Sequence, residues 1–306
     1  MIKHLLKRAT GRDQLIAIRE QLDEAKILAA KALINQMKAH GVYENLRETE
    51  FKVFSQFGDD GIIQYLVENI PVAFEQQSFV EFGVENYTES NTRFLLLNNN
   101  WRGLVIDGSE AQVSYIKSDP IYWKHDLTAV QSFITTDNIN RIISEHNFAG
   151  EIGLLSIDID GNDYWVWKAI DAVSPFVVIV EYNSVFGYEH AITIPYDPAF
   201  NRTQAHPSNL FWGCSLKALV MLAERKGYAF VGSNSAGNNA YFVRKDKLGK
   251  VKPASLEDGY VYSRFRESRD EQGRLTYLSG TQRLTAIEEM VVYHLERDAP
   301  VKIKDL

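Results

Sequence analysis

Five short apolar runs alternate with helix-like segments between residues 78 and 183, and this alternation limits the possible folds more than any other feature. The runs are SFVEFG, RGLVID, IYWKHD, IGLLSIDID and FVVIVEYN. Their β-branched and aromatic residues are typical of buried strands. The segments SNTRFLLLNNN, VQSFITTDNINRIISEHN and DYWVWKAIDAV between them favour helices. The alternation predicts an α/β fold, with five parallel strands in one sheet and helices on both faces.

Two further segments flank this region. After it, SLKALVMLAERKGYAFVGSNSAGNNAYFVRK predicts a helix, a strand at 228–232, a turn and a returning strand at 240–244, which together form an antiparallel hairpin. Before it, apolar residues at helical spacing predict a helix that ends at Gly41. We therefore expect an N-terminal helical extension (1–50), a central domain (51–250) and a C-terminal extension (251–306).

The apolar stripe of the N-terminal helix needs a surface to pack against. Its members are Leu15, Ile18, Leu22, Ala25, Ala29 and Ala32. Such a stripe packs either on the helix's own domain or on a second subunit, and the spacing alone favours neither. A homodimer formed through this helix is one of the two expectations.

The composition excludes several classes of protein. The net charge of -7 over 306 residues argues against nucleic-acid binding as the main function. Cys214 is the only cysteine, so an internal disulfide and a cysteine-rich metal site are excluded, and in an apolar context this residue is expected to pack. The chain has neither an apolar run long enough to span a membrane nor a signal-peptide core, which predicts a cytoplasmic protein.

Acidic residues follow every predicted parallel strand. The polar or small residues at the strand ends are Glu81 and Gly83, Asp107, Asp126, Asp158 and Asp160, and Glu181 and Asn183. A single acid there commonly caps a helix or forms a turn. Ligands of open parallel sheets bind beyond the carboxyl ends of the strands. Five strands with the same feature therefore predict a shared, carboxylate-lined pocket.

The first loop, VEFGVENYTESNT, indicates which ligand this pocket suits. It lacks the G-x-G-x-x-G pattern, and its three glutamates would repel the pyrophosphate of a dinucleotide. Asp107, at the end of the second strand, is placed to accept hydrogen bonds from ribose hydroxyls. A ligand with a ribose, positive charge and no phosphate is favoured, and S-adenosylmethionine has these properties.

Several segments, in order, resemble the FkbM-type class I methyltransferases. They are SQFGDDGIIQYL, VEFGVENYTESNT, WRGLVIDGS, LSIDIDGNDYWVW and the terminal hairpin. The resemblance implies a Rossmann-like class I methyltransferase fold, with Glu81 and Gly83 at the methionine end of the cofactor, Asp107 at the ribose and Asp126 near the adenine. The full set of implied cofactor-binding residues is Glu81, Gly83, Glu85, Ser90, Asn91, Asp107, Gly108, Ser109, Asp126, Leu127 and Asp158.

The stretch LLSIDIDGNDYW suggests a metal site. Asp158 and Asp160 alternate, so both should point to one face of the fourth strand, and Glu181 and Asn183 should do the same on the fifth. Such oxygen ligands suit Mg²⁺, Mn²⁺ or Ca²⁺. IDGNDYW also resembles macrocin O-methyltransferases, which implies a divalent ion that orients a sugar hydroxyl. The alternative is that Asp158 anchors the cofactor and Asp163 caps the next helix.

The acceptor side is less defined. Residues 184–214 form a long segment rich in aromatic side chains, which predicts an ordered lid. The candidate catalytic residues are Asp160, His190 and His206; either histidine is a possible general base or an ordinary loop residue. The arginine-rich segment 262–280 is a solvent-exposed face or, alternatively, grips a phosphate or carboxylate, and the first interpretation is favoured.

These observations favour an S-adenosylmethionine-dependent O-methyltransferase that acts on a small molecule or glycan precursor, with Mg²⁺ or Mn²⁺ as a possible second cofactor. Two alternatives stay open because a fold does not fix a function. One is a metal-dependent hydrolase or group transferase on the same scaffold. The other is a non-catalytic interaction protein that uses its N-terminal helix.

Overall fold

The computed structural model describes the backbone of residues 2–306 and the side chains of residues 14, 15 and 17–306. The helices are α1 (Ile2–His40), α2 (Asp59–Asn69), α3 (Arg93–Asn99), α4 (Glu110–Ser118), α5 (Ile121–Lys124), α6 (Ile139–Glu145), α7 (Asp163–Ala169), α8 (Arg202–Ala205), α9 (Leu216–Arg225), α10 (Leu256–Gly259) and α11 (Thr281–Thr285). The strands are β1 (Ser78–Phe82), β2 (Arg102–Asp107), β3 (Leu127–Gln131), β4 (Gly150–Ile157), β5 (Val173–Glu181), β6 (Ile192–Thr193), β7 (Tyr228–Ser233), β8 (Asn239–Arg244), β9 (Val291–His294) and β10 (Ala299–Lys302).

A seven-stranded sheet forms the centre of the molecule, in the order β3-β2-β1-β4-β5-β8-β7. Strands β1 to β5 are parallel, and β8 runs antiparallel between β5 and β7. Five parallel strands followed by an antiparallel hairpin were expected, and the structure confirms both. This arrangement is the Rossmann-like class I methyltransferase fold.

The third strand lies later in the sequence than predicted. IYWKHD forms α5 rather than a strand, because the Asp119 side chain accepts a hydrogen bond from the backbone N–H of Ile121 at the start of the helix. The strand is Leu127–Gln131, which the prediction had placed partly in the following helix. At the edge of the sheet only Leu127 and Ala129 of this strand are buried, so its sequence has no continuous apolar run.

Alternate residues of the strands supply two hydrophobic cores, one on each face of the sheet. Phe79, Val105 and Leu154 face the core that α1 to α5 cover. Val80, Leu104 and Leu155 face the core that α6, α7 and α9 cover. Helices therefore lie on both faces, as the β-α alternation predicted.

Helix α1 packs on the domain through side chains outside the predicted stripe. Ala30, Ile34 and Met37 are buried against the domain. Leu15, at one end of the stripe, is 69% exposed, and Ala32, at the other end, is exposed as well. The stripe therefore has no partner among the described side chains.

Among the residues that the structure describes, no helix combines the length and apolarity that crossing a membrane requires.

The segment 184–214 is ordered and joins the C-terminal part of the chain. Its strand β6 pairs with β9, which pairs with β10 in a second, antiparallel sheet. A third hydrophobic cluster, which includes Phe186, Phe211 and Ile287, lies between these segments. The residues after the hairpin therefore pack over the lid segment beside the carboxyl end of the main sheet.

Candidate active site

A cavity of about 560 Å³ lies beyond the carboxyl ends of β1, β2, β4 and β5. This volume is in the range of small-molecule sites. Eight of the eleven residues predicted to bind a cofactor line it, namely Glu81, Gly83, Glu85, Ser90, Asn91, Asp107, Gly108 and Asp158. The four predicted metal ligands, Asp158, Asp160, Glu181 and Asn183, also line it. The expected meeting of strand ends in one pocket is therefore present.

Gly83 lets the ends of β1 and β4 approach each other. Its φ angle is +70°, which L side chains rarely adopt. A Cβ atom at this position would lie 1.7 Å from the carbonyl oxygen of Asp158. Glycine is therefore required where the first turn meets the backbone that carries the acidic cluster.

Glu81 organises the cavity wall. Its buried carboxylate accepts hydrogen bonds from the Ser90 and Thr92 hydroxyls and from the backbone N–H groups of Asn91 (2.9 Å) and Thr92 (3.1 Å). Burial raises the pKa of Glu81, and these hydrogen bonds oppose that rise. The acid at the end of β1 thus fixes the loop that follows the strand, and direct contact with a cofactor stays a prediction.

Asp107 joins two turns at the end of β2. One carboxylate oxygen accepts from the backbone N–H of Glu85 and the other from that of Ser109, each at 2.8 Å. Each oxygen keeps a further lone pair for a ligand. Ser109 itself lies outside the cavity lining and caps α4 by accepting from the Gln112 N–H, so its predicted position at the cofactor is wrong.

Asp126 and Leu127 lie at the amino end of β3, away from the cavity. The strand begins at Leu127, so Asp126 precedes it and Leu127 is its first residue. The Asp126 carboxylate is 3.6 Å from the Arg102 guanidinium, and Leu127 is buried in the core. The structure thus places neither residue at the cavity, against the predicted position of Asp126 near an adenine and of Leu127 at the cofactor. Residues 132–134, which follow β3 at its carboxyl end, line the cavity.

Asp158, Asp160 and Glu181 form a carboxylate cluster. One oxygen of each lies within 4.8 Å of the others. The predicted reason for this proximity is wrong, because β4 ends at Ile157 and Asp160 has a φ of +55° in the turn that follows. The Asp163 side chain fixes this turn by accepting from backbone N–H groups within it. A turn, and not strand alternation, thus assembles the cluster.

The cluster favours a bound positive charge or proton. Burial, followed by the charges of Asp160 and Asp163, raises the pKa of Asp158 to about 8. Burial and the charge of Asp158 raise the pKa of Glu181 well above its usual value. The Glu181 Oε2 atom is buried and has no hydrogen-bond partner among the described residues. Two adjacent buried carboxyl groups resist simultaneous ionisation until a cation is close.

Arg202 was missed by the sequence analysis. Its guanidinium donates to Asp160 at 2.7 Å and to the Asn209 carbonyl at 3.2 Å, and it lies over the Trp212 ring with 4.6 Å to the ring centroid. The residue lies in a lid segment without any recognisable charge pattern, so only the tertiary structure reveals its position. The positive charge of Arg202 partly balances the negative charge of the cluster at Asp160, its exposed member.

Asn183 has a structural role. Its amide nitrogen donates to the carbonyl oxygens of Leu210 and Trp212, each at 2.9 Å, and its side-chain oxygen accepts from the Val185 N–H. Both ends of the amide are therefore engaged with the lid segment. Asn183 lines the cavity and holds the lid segment, and its predicted role as a metal ligand stays a prediction.

Neither predicted histidine lines the cavity. His190 packs edge-on against His294, and the His206 ring contacts the Ser208 hydroxyl at 2.8 Å. Burial lowers the pKa of His206, which keeps the ring neutral. The structure therefore places neither of the two predicted general bases at this cavity. Cys214 is buried in the core, as predicted.

The C-terminal part of the chain closes the cavity. Ser263, Phe265 and Glu267 line it, whereas the arginines of the segment 262–280 do not. The favoured interpretation of those arginines, as residues outside the site, is thus consistent with the structure. Arg283, just beyond that segment, is 6% exposed and lines the cavity. Sequence reasoning missed this residue because nothing in its local sequence predicts burial.

No protein-family model matches the sequence, and no curated protein matches it. The specific resemblance to FkbM-type and macrocin-type enzymes therefore stays a prediction.

Of three solved structures with a similar fold, two are described as methyltransferases and one as a domain with SAH bound. The N-terminal domain of EvdMO1 with SAH bound is 10% identical, with a TM-score of 0.41 and coverage of 70% of this chain and 94% of that chain. An S-adenosylmethionine-dependent methyltransferase from Clostridium acetobutylicum is 10% identical, with a TM-score of 0.38 and coverage of 60% of this chain and 89% of that chain. The O-methyltransferase from Bacillus cereus in complex with SAH is 13% identical, with a TM-score of 0.37 and coverage of 72% of this chain and 89% of that chain. Such low scores carry no argument about activity.

Proposed function

We propose that this protein is an S-adenosylmethionine-dependent methyltransferase that methylates a hydroxyl group of a small molecule or glycan precursor. One observation carries the proposal. A single cavity at the carboxyl end of a class I methyltransferase sheet contains both Asp107, at the end of β2, and the carboxylate cluster of Asp158, Asp160 and Glu181. The first suits a ribose, and the second suits positive charge and an acceptor hydroxyl.

In this proposal the part of the cavity at β1, β2 and β3 holds the methyl donor. Asp107 accepts hydrogen bonds from the ribose hydroxyls, and residues 132–134 contact the adenine. The acids in this part of the cavity favour a sulfonium electrostatically and disfavour a phosphate at the donor's position. When bound, S-adenosylmethionine supplies the methyl group that is transferred.

The acidic cluster passes a test of fit for a divalent ion. It offers three carboxylates whose oxygens converge, and the Oε2 atom of Glu181 is buried without a partner among the described residues. Hard oxygen donors of this kind suit Mg²⁺ or Mn²⁺. Asp158, Asp160 and Glu181 would hold the ion. An ion there would lower the pKa of an acceptor hydroxyl.

The remaining chemistry belongs to the same carboxylates. The described cavity lining contains no histidine and no lysine. An acceptor proton then passes to an ionised carboxylate of the cluster or to water, and a divalent ion at the cluster would keep these carboxylates ionised. Phe200 and Trp212 of the lid segment shield the reacting groups from water.

The exposed part of α1 suits a second copy of the chain. Leu15, Ile18 and Leu22 lie at helical spacing and are all exposed. We therefore include a homodimer through α1 in the proposal.

Calorimetric titration with S-adenosylhomocysteine tests the proposal, since this product analogue needs no acceptor. We expect wild-type protein to bind it and Asp107→Asn to weaken the affinity about tenfold, because one carboxylate oxygen becomes a donor. Asp126→Asn is the matched control and should bind like wild type. Absence of binding to wild type, or equal losses in both variants, would contradict the assignment.

A further inference from the structure

Arg283 is a buried cation whose charge the described chain does not balance. Its Nη1 atom donates to the Ser263 carbonyl at 3.3 Å, and its guanidinium lies over the Tyr262 ring with 5.4 Å to the centroid. The Nε atom has no hydrogen-bond partner among the described residues. A guanidinium carries five N–H donors, so most of its hydrogen-bonding capacity is left for another molecule.

The absence of a counter-ion sets Arg283 apart from the other arginine of the cavity. Arg202 pairs with Asp160 at 2.7 Å. No carboxylate of the described residues lies within the 4.0 Å ion-pair distance of Arg283, although the cavity has many acids. Burying a guanidinium without a counter-ion is costly. The unpaired N–H donors of this buried guanidinium therefore point to an oxyanion supplied by the ligand.

The position of Arg283 assigns that anion to the acceptor rather than to the donor. Arg283 contacts Ser263, whose backbone N–H donates to the Ser184 hydroxyl just after β5. Gly237, in the turn before β8, also packs against Ser263. Arg283 thus lies at the β5–β8 side of the cavity. Asp107, which we assign to the ribose, lies on the other side, at β2.

We propose that Arg283 binds a carboxylate or phosphate group of the acceptor, so that the substrate class is a hydroxylated anion. This inference rests on the proposed function, because the hydroxyl of the same molecule has to reach the carboxylate cluster. Guanidinium recognises both kinds of oxyanion through paired N–H donors. Arg283 is then a specificity-determining residue that places the acceptor while Asp158 and Glu181 act on its hydroxyl.

The test uses acetate and inorganic phosphate as separate probes of the two anion sources. Their binding to the full-length protein, saturated with S-adenosylhomocysteine, is measured by calorimetry at constant ionic strength. We expect at least one probe to bind wild type saturably and to lose about tenfold or more affinity in Arg283→Gln. Arg264→Gln is the matched control, because Arg264 is exposed and lies outside the cavity lining, and it should bind like wild type.

The same titrations separate this inference from the proposed function. Retained affinity of Arg283→Gln for S-adenosylhomocysteine supports an acceptor role, and a parallel loss of that affinity assigns Arg283 to the donor and overturns the inference. Failure of wild type to bind either anion also overturns it, without requiring a folded variant. Arg283→Lys, which keeps the charge and loses the planar fork, should bind the anion more weakly than wild type and more tightly than Arg283→Gln.

Discussion

At the scale of single residues, the acids at the strand ends differ in how much hydrogen-bonding capacity they keep for a ligand. Glu81 and Asp163 are occupied by nearby N–H and hydroxyl groups and hold turns in place. Glu181 has a buried oxygen without such a partner. The type of residue at a strand end therefore does not reveal its role, whereas its local hydrogen bonds do.

Glu181→Gln should abolish stabilisation by a divalent ion. We expect Mn²⁺ to raise the melting temperature of wild type by mass action, because it binds the folded state. The amide of the variant has no negative charge and only one oxygen, whereas the carboxylate has a charge and two oxygens that can bind the ion. Glu75→Gln, a change of the same kind at an exposed position, is the control and should respond like wild type. An equal Mn²⁺ response in all three proteins would exclude the metal site.

Stability should depend on pH through the Asp158–Glu181 pair. The pKa of Asp158 is raised in the folded state to about 8. Without a ligand, this group therefore stabilises the fold at low pH. That contribution is lost as the pH rises from the pKa of the aspartate in the unfolded chain to its pKa in the folded state. A divalent ion needs the ionised pair, so its stabilising effect should grow in that range. Melting curves with and without Mn²⁺ at about pH 6 and about pH 8.5 check this sign. A larger Mn²⁺ effect at the lower pH would contradict it.

At the scale of helices, strands and turns, the site depends on how closely β1 and β4 approach at their carboxyl ends. Gly83 lies against the backbone of Asp158, and the turn after β4 carries two members of the cluster. Loops that follow parallel strands thus build the site, and the buried strands hold them rigidly. The lid segment adds Arg202 and Trp212 from the other side.

Gly83→Ala should disrupt the site and destabilise the fold. The new methyl group would overlap the Asp158 carbonyl oxygen, and the positive φ adds backbone strain. We expect a loss of about 2–4 kcal/mol in the free energy of unfolding. Gly108→Ala is the control, because its Cβ would make only an ordinary 3.6 Å contact with Phe133. Denaturant titrations with similar midpoints for the two variants would show that the close approach is not required.

The exposed stripe of α1, which contains Leu15, Ile18 and Leu22, predicts a dimer that one substitution can dissociate. Leu22→Glu places a charge in the exposed stripe, which should raise the dimer dissociation constant about tenfold or more. Leu28→Glu is a matched control on a different face of the same helix, where the leucine is also exposed. Light scattering after size-exclusion chromatography measures the mass. A monomeric wild type, or equal effects of both substitutions, would contradict dimerisation through the stripe.

At the scale of the whole molecule, the sequence was sufficient for the architecture because buried parallel strands carry a strong apolar signal. One exception was β3, where the edge position leaves only alternate residues buried, and this error also misplaced Asp126. The small antiparallel sheet of β6, β9 and β10 was not predicted either. Most of the predicted cofactor-binding residues do line the cavity, because they follow β1, β2 and β4 directly.

The acceptor side was hard to predict for a physical reason. Arg202 and Arg283 reach the cavity from the lid segment and the C-terminal segment, which pack together through β6 and β9. Contacts of this kind join residues far apart in the sequence and leave no periodic pattern. The opposite error concerns His190 and His206. Both have side chains suitable for a general base, but their rings contact His294 and Ser208 and do not line the cavity.

A crystal structure of the protein with S-adenosylhomocysteine tests the proposed donor site most directly. We expect the ligand in the cavity beyond β1, β2 and β4, with its ribose hydroxyls at hydrogen-bonding distance from Asp107. A ligand bound elsewhere on the protein, or a ribose turned away from Asp107, would contradict the assignment of this cavity to the methyl donor.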